Sequence, residues 1–186
     1  MASSGCAEDC TAVEPTYAGE ATDEAWREML DARADAVEGG DAATFSAPAA
    51  DAQVPASSSP TFAWESPLKV ASASRPPRLP RLPGTWRRRA PSLFDRVVDV
   101  VLPSAHAHEP PITSDVHLLE VDVPGRTCPV AGLTTALSFT FDDEGWNAIS
   151  AGGGERTARL LSAFLTENNV TEGPFLASPL SFTIEE

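Results

Sequence analysis

Three histidines lie within one short window of the sequence, at His106, His108 and His117. Two histidines separated by a single residue project from the same side of an extended backbone, because side chains alternate along a strand. Imidazole nitrogens are ligands for Zn²⁺ and Cu²⁺, and the carboxylate of Glu109 or Asp115 can complete such a site. The same pattern is also typical of a solvated loop followed by a half-buried His117, and the sequence leaves both interpretations open.

The three cysteines suggest a second kind of chemistry. Small residues directly before a cysteine, as in Ser3-Ser4-Gly5-Cys6, are typical of the bacterial lipidation site, so we expect Cys6 to be the acylated first residue of a mature lipoprotein. Cys10 and Cys128 then remain as an even pair, which in an exported protein predicts a disulfide. The alternative is three reduced thiols in a cytoplasmic protein.

The sequence contains none of the common catalytic motifs. Gly-x-Ser-x-Gly and His-Glu-x-x-His do not occur, and the glycines at 152–154 are not followed by a lysine that would complete a phosphate-binding loop. No histidine has a recognisable nucleophile beside it in the sequence. We therefore expect a non-enzymatic protein with no catalytic residues and no cofactor.

Charge is distributed unevenly along the chain. The formal net charge is −14, yet residues 69–96 carry 8 basic and only 1 acidic side chains. An acidic surface repels nucleic acid, so we expect no nucleic-acid partner. No run of 18 apolar residues is present, which leaves a lipid anchor as the expected membrane attachment.

The elements that would position these residues begin with an acidic tether that carries a short helix, over residues 1–44. Thr22 or Asp23 can cap the helix, and apolar residues recur at helical spacing from Trp26 to Val37, where two glycines end it. A helix with one apolar face is expected to dock on a folded domain.

From Phe45 onward the pattern changes to short strands separated by proline and serine. Strands are expected at 116–123, 133–141 and 181–184, whereas 156–165 suits either a helix or a strand by its spacing. The residues expected to form most of the core are Phe62 or Trp64, Leu119, Val121, Phe139, Phe141, Trp146, Leu161, Phe182 and Ile184.

Several of these segments resemble the bacterial fibronectin type III-like and immunoglobulin-like domains. The resemblance implies an all-β sandwich of two sheets around a buried tryptophan, Trp64, and it favours a strand over a helix at 156–165. The segments that carry it are Ala47–Val54 with Pro60–Trp64, His117–Val123, Thr157–Phe164, Asn169–Ser178 and Leu180–Ile184.

The sequence departs from these families by a long insertion rich in proline and arginine, at about 69–114. Such a composition favours an extended polyproline helix, which cannot be a core strand. We therefore expect one sandwich domain at 45–186, interrupted by a segment that leaves the sandwich. The insertion contains many of the 17 prolines of the chain and is expected to act as a spacer or contact segment.

These features together predict an exported or surface-anchored module with a structural or binding role. The expected compartment is the periplasm or the cell surface, with the cytoplasm as the alternative, and the partner is an unidentified protein or component of the cell envelope. The runner-up function is that of an exported Zn- or Cu-binding protein that uses His106, His108 and His117.

Overall fold

Alternating apolar and polar side chains favour strands, which make up almost half of the residues that the structure describes. The computed structural model describes Cys10 and residues 15–39, 41–68 and 110–185. Strands account for 46% and helices for 17% of these residues, which confirms a mostly β protein built from two sheets. In chain order the strands are β1 Thr16–Ala18, β2 Val37–Glu38, β3 Thr44–Ala47, β4 Ala52–Pro55, β5 Phe62–Glu65, β6 Ser114–Asp122, β7 Val130–Thr134, β8 Ser138–Phe139, β9 Gly154–Thr166, β10 Asn169–Leu176 and β11 Leu180–Glu185. The α-helices are α1 Asp23–Ala32 and α2 Asp143–Ser150, and a 3-10 helix spans Arg33–Asp35.

The larger sheet is organised around its longest strand, β9. Strand β6 pairs antiparallel with one edge of β9, and β7 pairs antiparallel with β6. The other edge of β9 is shared, because β11 pairs with its first half and β10 with its second half. Residues 156–165 therefore form a strand, as the resemblance implied.

Short N-terminal strands add to the three outer strands of this antiparallel arrangement. Strand β1 pairs with β7, β2 pairs with β10, and β4 pairs with β11, in each case parallel. Unpaired edge strands invite association with other chains, and very short added strands are one way to reduce that risk. The N-terminal segment thus covers parts of the sheet edges.

The smaller sheet has the order β3-β5-β8 and packs against one face of the larger sheet. Apolar residues of both sheets form one cluster, in which Phe62 and Trp64 of β5 are almost fully buried. The Phe62 ring contacts Phe182 of the larger sheet, with ring centroids 5.6 Å apart. All the residues expected in the core are buried.

The two sheets approach closely at Gly132. A Cβ atom at this position in β7 would overlap the ring of Phe139, which belongs to the smaller sheet. Glycine is therefore required here by space, because the Phe139 ring fills the volume that another side chain would need.

Helix α1 covers the opposite face of the larger sheet. Ala25, Trp26 and Met29 are buried against apolar residues of β6, β7 and β9, so the expected docking of this helix is confirmed. The Thr22 side chain caps its N-terminus by accepting from the Ala25 amide at 3.3 Å. The helix ends earlier than the spacing predicts, because the chain turns into β2, which pairs with β10, and Val37 is exposed.

The description of residues 1–44 as a tether needs correction. Strands β1 and β2 lie in the larger sheet and α1 packs on it, so residues 16–18 and 23–38 are part of the folded body. The sequence does not show this because β1 and β2 are too short to display a period, and their pairing partners lie more than 100 residues away.

The expected strand at 133–141 is divided in the structure. Strand β7 ends at Thr134 in the larger sheet, and β8 begins at Ser138 in the smaller one. The chain switches sheets between them, with the Leu137 carbonyl accepting from the Trp64 amide at 3.1 Å. Leu137, which lies between the two strands, is 44% exposed.

Helix α2 was not expected from the sequence. The Asp142 side chain accepts from the Gly145 amide at 2.8 Å and caps the helix. At the C-terminal end of α2, the carbonyls of Ile149 and Ala151 accept hydrogen bonds from the buried Arg156 side chain, at 2.7 and 2.8 Å. These bonds join α2 to β9.

Of the insertion at 69–114, the structure describes only the last five residues, 110–114. Within the described ranges, no helix is long and apolar enough to cross a membrane.

Candidate functional site

The structure describes three of the six predicted site residues, Cys10, Cys128 and His117. Cys10 and Cys128 form a disulfide with their Cα atoms 5.5 Å apart, which is the pair predicted from the number of cysteines. His117 lies in β6 and is described in full. Cys6, His106 and His108 lie outside the described residues, so lipidation and the histidine cluster stay predictions.

His117 is completely buried between the two sheets, and not half-buried as the sequence suggested. Its Nδ1 lies 2.8 Å from the Oγ of Ser162, the residue opposite it in β9. The Trp64 ring of the smaller sheet covers it, with ring centroids 5.3 Å apart. Burial lowers the pKa of His117 from 6.5 to about 4, so the imidazole is neutral at neutral pH.

Asp115 shares the inner face of β6 with His117, because the two residues are two apart on one strand. Burial raises the pKa of the Asp115 carboxyl, and the nearby charge of Glu172 adds to the effect. Together with Trp64 and Ser162, these residues form what we call the His117 cluster.

The His117 cluster contains buried polar atoms without partners. They are the indole nitrogen of Trp64, Oδ1 of Asp115 and Nε2 of His117. Each such atom in a core costs about 1–3 kcal/mol relative to a bonded one. These atoms make the cluster a polar site within a largely apolar core, and burial disfavours a charge on the His117 imidazole.

Ser162 and His117 form a pair that sequence reasoning missed. A serine hydroxyl at hydrogen-bond distance from an imidazole is the arrangement that activates a nucleophile. Here, however, Ser162 and His117 are both fully buried in the core, where no substrate reaches the hydroxyl. The residues are 45 positions apart, and only the β6–β9 register could have paired them.

His117 meets one condition for a metal-binding histidine, because one of its ring nitrogens is held by a hydrogen bond and the other has no partner. A metal-binding histidine usually uses one ring nitrogen for the ion while the other is held by a hydrogen bond, as Nδ1 is held by Ser162. The described residues contain no group of three or more His, Cys, Asp or Glu side chains placed to hold a metal ion.

A second set of polar side chains lies on the helix-covered face of the same sheet. We call this set the charged row, and it consists of Arg33, Glu120, Asp122 and Arg159. The Arg33 Nη1 lies 2.8 Å from Oε1 of Glu120, and the Arg159 Nη2 lies 2.6 Å from Oδ1 of Asp122. Glu120 is only 2% exposed, and its Oε2 has no partner.

The surroundings of Glu120 act on its charge in opposite directions. Burial raises the pKa of its carboxyl, and the positive charges of Arg33 and Arg159 lower it, while Asp122 raises it to a smaller extent. The net direction is upward. Arg33 is thus the cation that makes a carboxylate tolerable at this buried position.

Replacing Arg33 by glutamine is expected to lower the free energy of unfolding by about 1–3 kcal/mol, because Glu120 loses its bonded cation while it stays buried. The loss of stability is limited because Arg33 is 37% exposed, so water screens part of its attraction to Glu120. Denaturant unfolding of the purified protein measures the change.

The matched control is Arg27→Gln, which removes a charge from an exposed position on α1. It is expected to change stability by less than about 0.5 kcal/mol. Equal stabilities for the Arg27 and Arg33 variants would show that the Glu120 pair contributes nothing.

Comparison of the chain with protein-family models, with curated proteins and with solved structures finds no match.

Proposed function

We propose that this protein is an exported, non-enzymatic β-sandwich module with a structural or binding role at the cell envelope. The observation that carries the proposal is the disulfide between Cys10 and Cys128. Structural disulfides persist in oxidising compartments and are rare in the cytosol, so this bond favours the periplasm or the cell surface.

The fibronectin type III-like or immunoglobulin-like assignment belongs to the same proposal. It is supported by two sheets that share one core and by Trp64 buried between them. The parallel pairing of β1, β2 and β4 differs from the antiparallel sheets of those families. The antiparallel part, made of β6, β7, β9, β10 and β11, is the portion that we compare with them.

A binding or structural role is supported over catalysis by where the reactive groups lie. The Ser162–His117 pair is enclosed in the core, and the carboxylates of the charged row are bonded to arginines. Catalysis needs such groups within reach of a substrate.

Lipidation of Cys6 would place the folded body close to a membrane. Cys10 is fixed to the body by its disulfide, and Cys6 is four residues before it. A fully extended chain of that length spans at most about 14 Å. An acylated Cys6 would therefore hold the sandwich against the lipid surface and not at the end of a long tether.

The test is mass spectrometry of the natural protein from its host, digested without reductant. The expected result is a linked peptide pair that contains Cys10 and Cys128, together with an acyl mass on Cys6. Free thiols at Cys10 and Cys128 would overturn export. A linked pair with an unmodified Cys6 would overturn only the lipid anchor.

A second candidate function, binding of Zn²⁺ or Cu²⁺, is favoured by the unpartnered Nε2 of His117. In this proposal His106 and His108 supply further nitrogens. Because Trp64 covers His117, an ion can reach Nε2 only if the indole moves, so tryptophan fluorescence should change with the heat of binding.

Calorimetry with each metal ion tests the second function. The expected result is saturable heat that is reduced in His117→Gln and in His106→Gln/His108→Gln. A flat titration of the wild-type protein would overturn it.

A further inference from the structure

The larger sheet splits along one edge of β9. Strand β11 pairs with β9 as far as Ala158, and β10 pairs with it from Leu161 onward. Between these points the chain crosses from β10 to β11, and its Ala177 amide donates to the Leu160 carbonyl at 2.9 Å. A crevice of about 580 Å³ opens beside this crossing, within the usual range for small-molecule sites.

Small residues account for the open space. Gly39, Ala42, Ala43 and Ala177 line the crevice, and none of them has a side chain longer than a methyl group. The remaining lining includes the hydroxyls of Thr44 and Ser178 together with two charged side chains, Glu38 and Arg159.

Glu38 and Arg159 project from the same face of the sheet. Glu38 of β2 lies opposite Leu176 of β10, and Leu176 lies opposite Leu161 of β9. Arg159 is two residues before Leu161 on β9 and therefore points to the same face. Strands β2 and β9 are separated by β10, so their backbones are about 10 Å apart. The crevice thus carries opposite charges on walls separated by about the length of a small molecule.

Arg159 lines the crevice, and its guanidinium is held by Asp122. Its bond to Asp122 uses one of the five guanidinium donors, and the side chain is 38% exposed, so other donors can be reached from the crevice. Its buried Nε has no partner. Arginine held in this way suits a carboxylate, which it can bind through two parallel bonds.

A simple anion is a poor ligand for the crevice. Asp122 offsets much of the charge of Arg159, and Glu38 repels a second negative group. A molecule with both charges avoids this repulsion, because its ammonium group can pair with Glu38 while its carboxylate pairs with Arg159.

We propose that this crevice binds a small zwitterion of the size of an amino acid or dipeptide, with its carboxylate at Arg159 and its ammonium group at Glu38. Thr44 and Ser178 also line the crevice, and their hydroxyls would supply hydrogen bonds to the polar backbone of the ligand. Such a ligand gives a chemical class to the binding role proposed above. Its test in solution is independent of export, so either proposal can fail alone.

Calorimetry of the full chain with dialanine provides the first test. N-acetyl-dialanine removes the ammonium charge, and dialanine amide removes the carboxylate. Each change is expected to weaken binding about tenfold or more, since each removes a charged hydrogen bond. No heat with dialanine at millimolar concentration, or equal affinity for the three compounds, would overturn the proposal.

Variants of Glu38 and Arg159 test which residue binds the ammonium group of the ligand and which binds its carboxylate. In Glu38→Gln, a change at an exposed position, the preference for dialanine over N-acetyl-dialanine should disappear. In Arg159→Gln the preference for dialanine over its amide should disappear, provided circular dichroism shows a folded protein. Arg27→Gln, the matched loss of a charge outside the crevice, should bind as the wild type does. Unchanged preferences in the Glu38 variant would contradict the assignment even if Arg159→Gln fails to fold.

Discussion

Replacing Cys10 and Cys128 together by serine is expected to lower the free energy of unfolding by about 2–5 kcal/mol. The two residues are separated by 118 positions, so the disulfide restricts a long loop in the unfolded chain. It also fixes the segment before β1 to the loop before β7. Guanidinium chloride unfolding without reductant measures the change.

Cys6→Ser is the matched control for this experiment, because it removes a sulfur and leaves the disulfide intact. Wild-type protein in reductant should unfold like the Cys10→Ser/Cys128→Ser variant. If the double variant and the wild type unfold at the same denaturant concentration without reductant, the bond contributes nothing to stability, and its value as evidence of export is lost.

Acid is expected to destabilise the protein through His117. In the folded state the pKa of His117 is about 4, whereas the ordinary value of 6.5 applies when the chain is unfolded. As pH falls below 6.5, the unfolded chain binds a proton that the folded protein does not. The free energy of unfolding should therefore fall by about 3 kcal/mol between pH 6.5 and 4 on account of this residue.

Two buried carboxyls act in the opposite direction. Burial raises the folded-state pKa of Asp115 and of Glu120, so each favours the folded protein as pH falls through that raised value. The contribution of His117 is therefore measured as a difference between two proteins. His117→Gln cannot take up a proton in this range, yet its amide can still bond Ser162.

Unfolding curves at several pH values should show a steeper loss of stability for the wild type than for His117→Gln. Their difference should approach about 3 kcal/mol at pH 4. Asp115→Asn is a second comparison, because it removes the opposing carboxyl and should steepen the loss. Parallel curves for the wild type and His117→Gln would mean that the imidazole is not held neutral in the core.

Much of the strand content was predictable because it depends on local alternation. The segment 116–123 was expected as a strand, and residues 116–122 form most of β6. The segment 156–165 was ambiguous by spacing, because Leu160, Leu161, Phe164 and Leu165 also suit a helix. It is a strand with apolar residues on both faces, since sheet β3-β5-β8 covers one side and α1 the other. A strand buried on both faces loses the two-residue period that would identify it.

The candidate site was predicted only in part. His117 was singled out for its neighbours His106 and His108, but the contacts that the structure describes come from Ser162 and Trp64, which are distant in sequence. The charged row and the crevice were not predicted. The charged row depends on the register of β6 against β9, and the crevice on the register of β2 against β10. No local pattern encodes a register between strands so far apart.

Local patterns along the chain were enough to predict the β-rich class, the buried aromatic residues, the docking helix and the cysteine pair. Alternation, apolar spacing and cysteine number are properties of short segments or simple counts. Local patterns did not predict which edges the short strands β1, β2 and β4 cover, where the chain changes sheets, or which polar groups meet in the core. These outcomes are set by pairing between distant strands, where backbone hydrogen bonds and side-chain packing are gained only after the chain has folded back on itself.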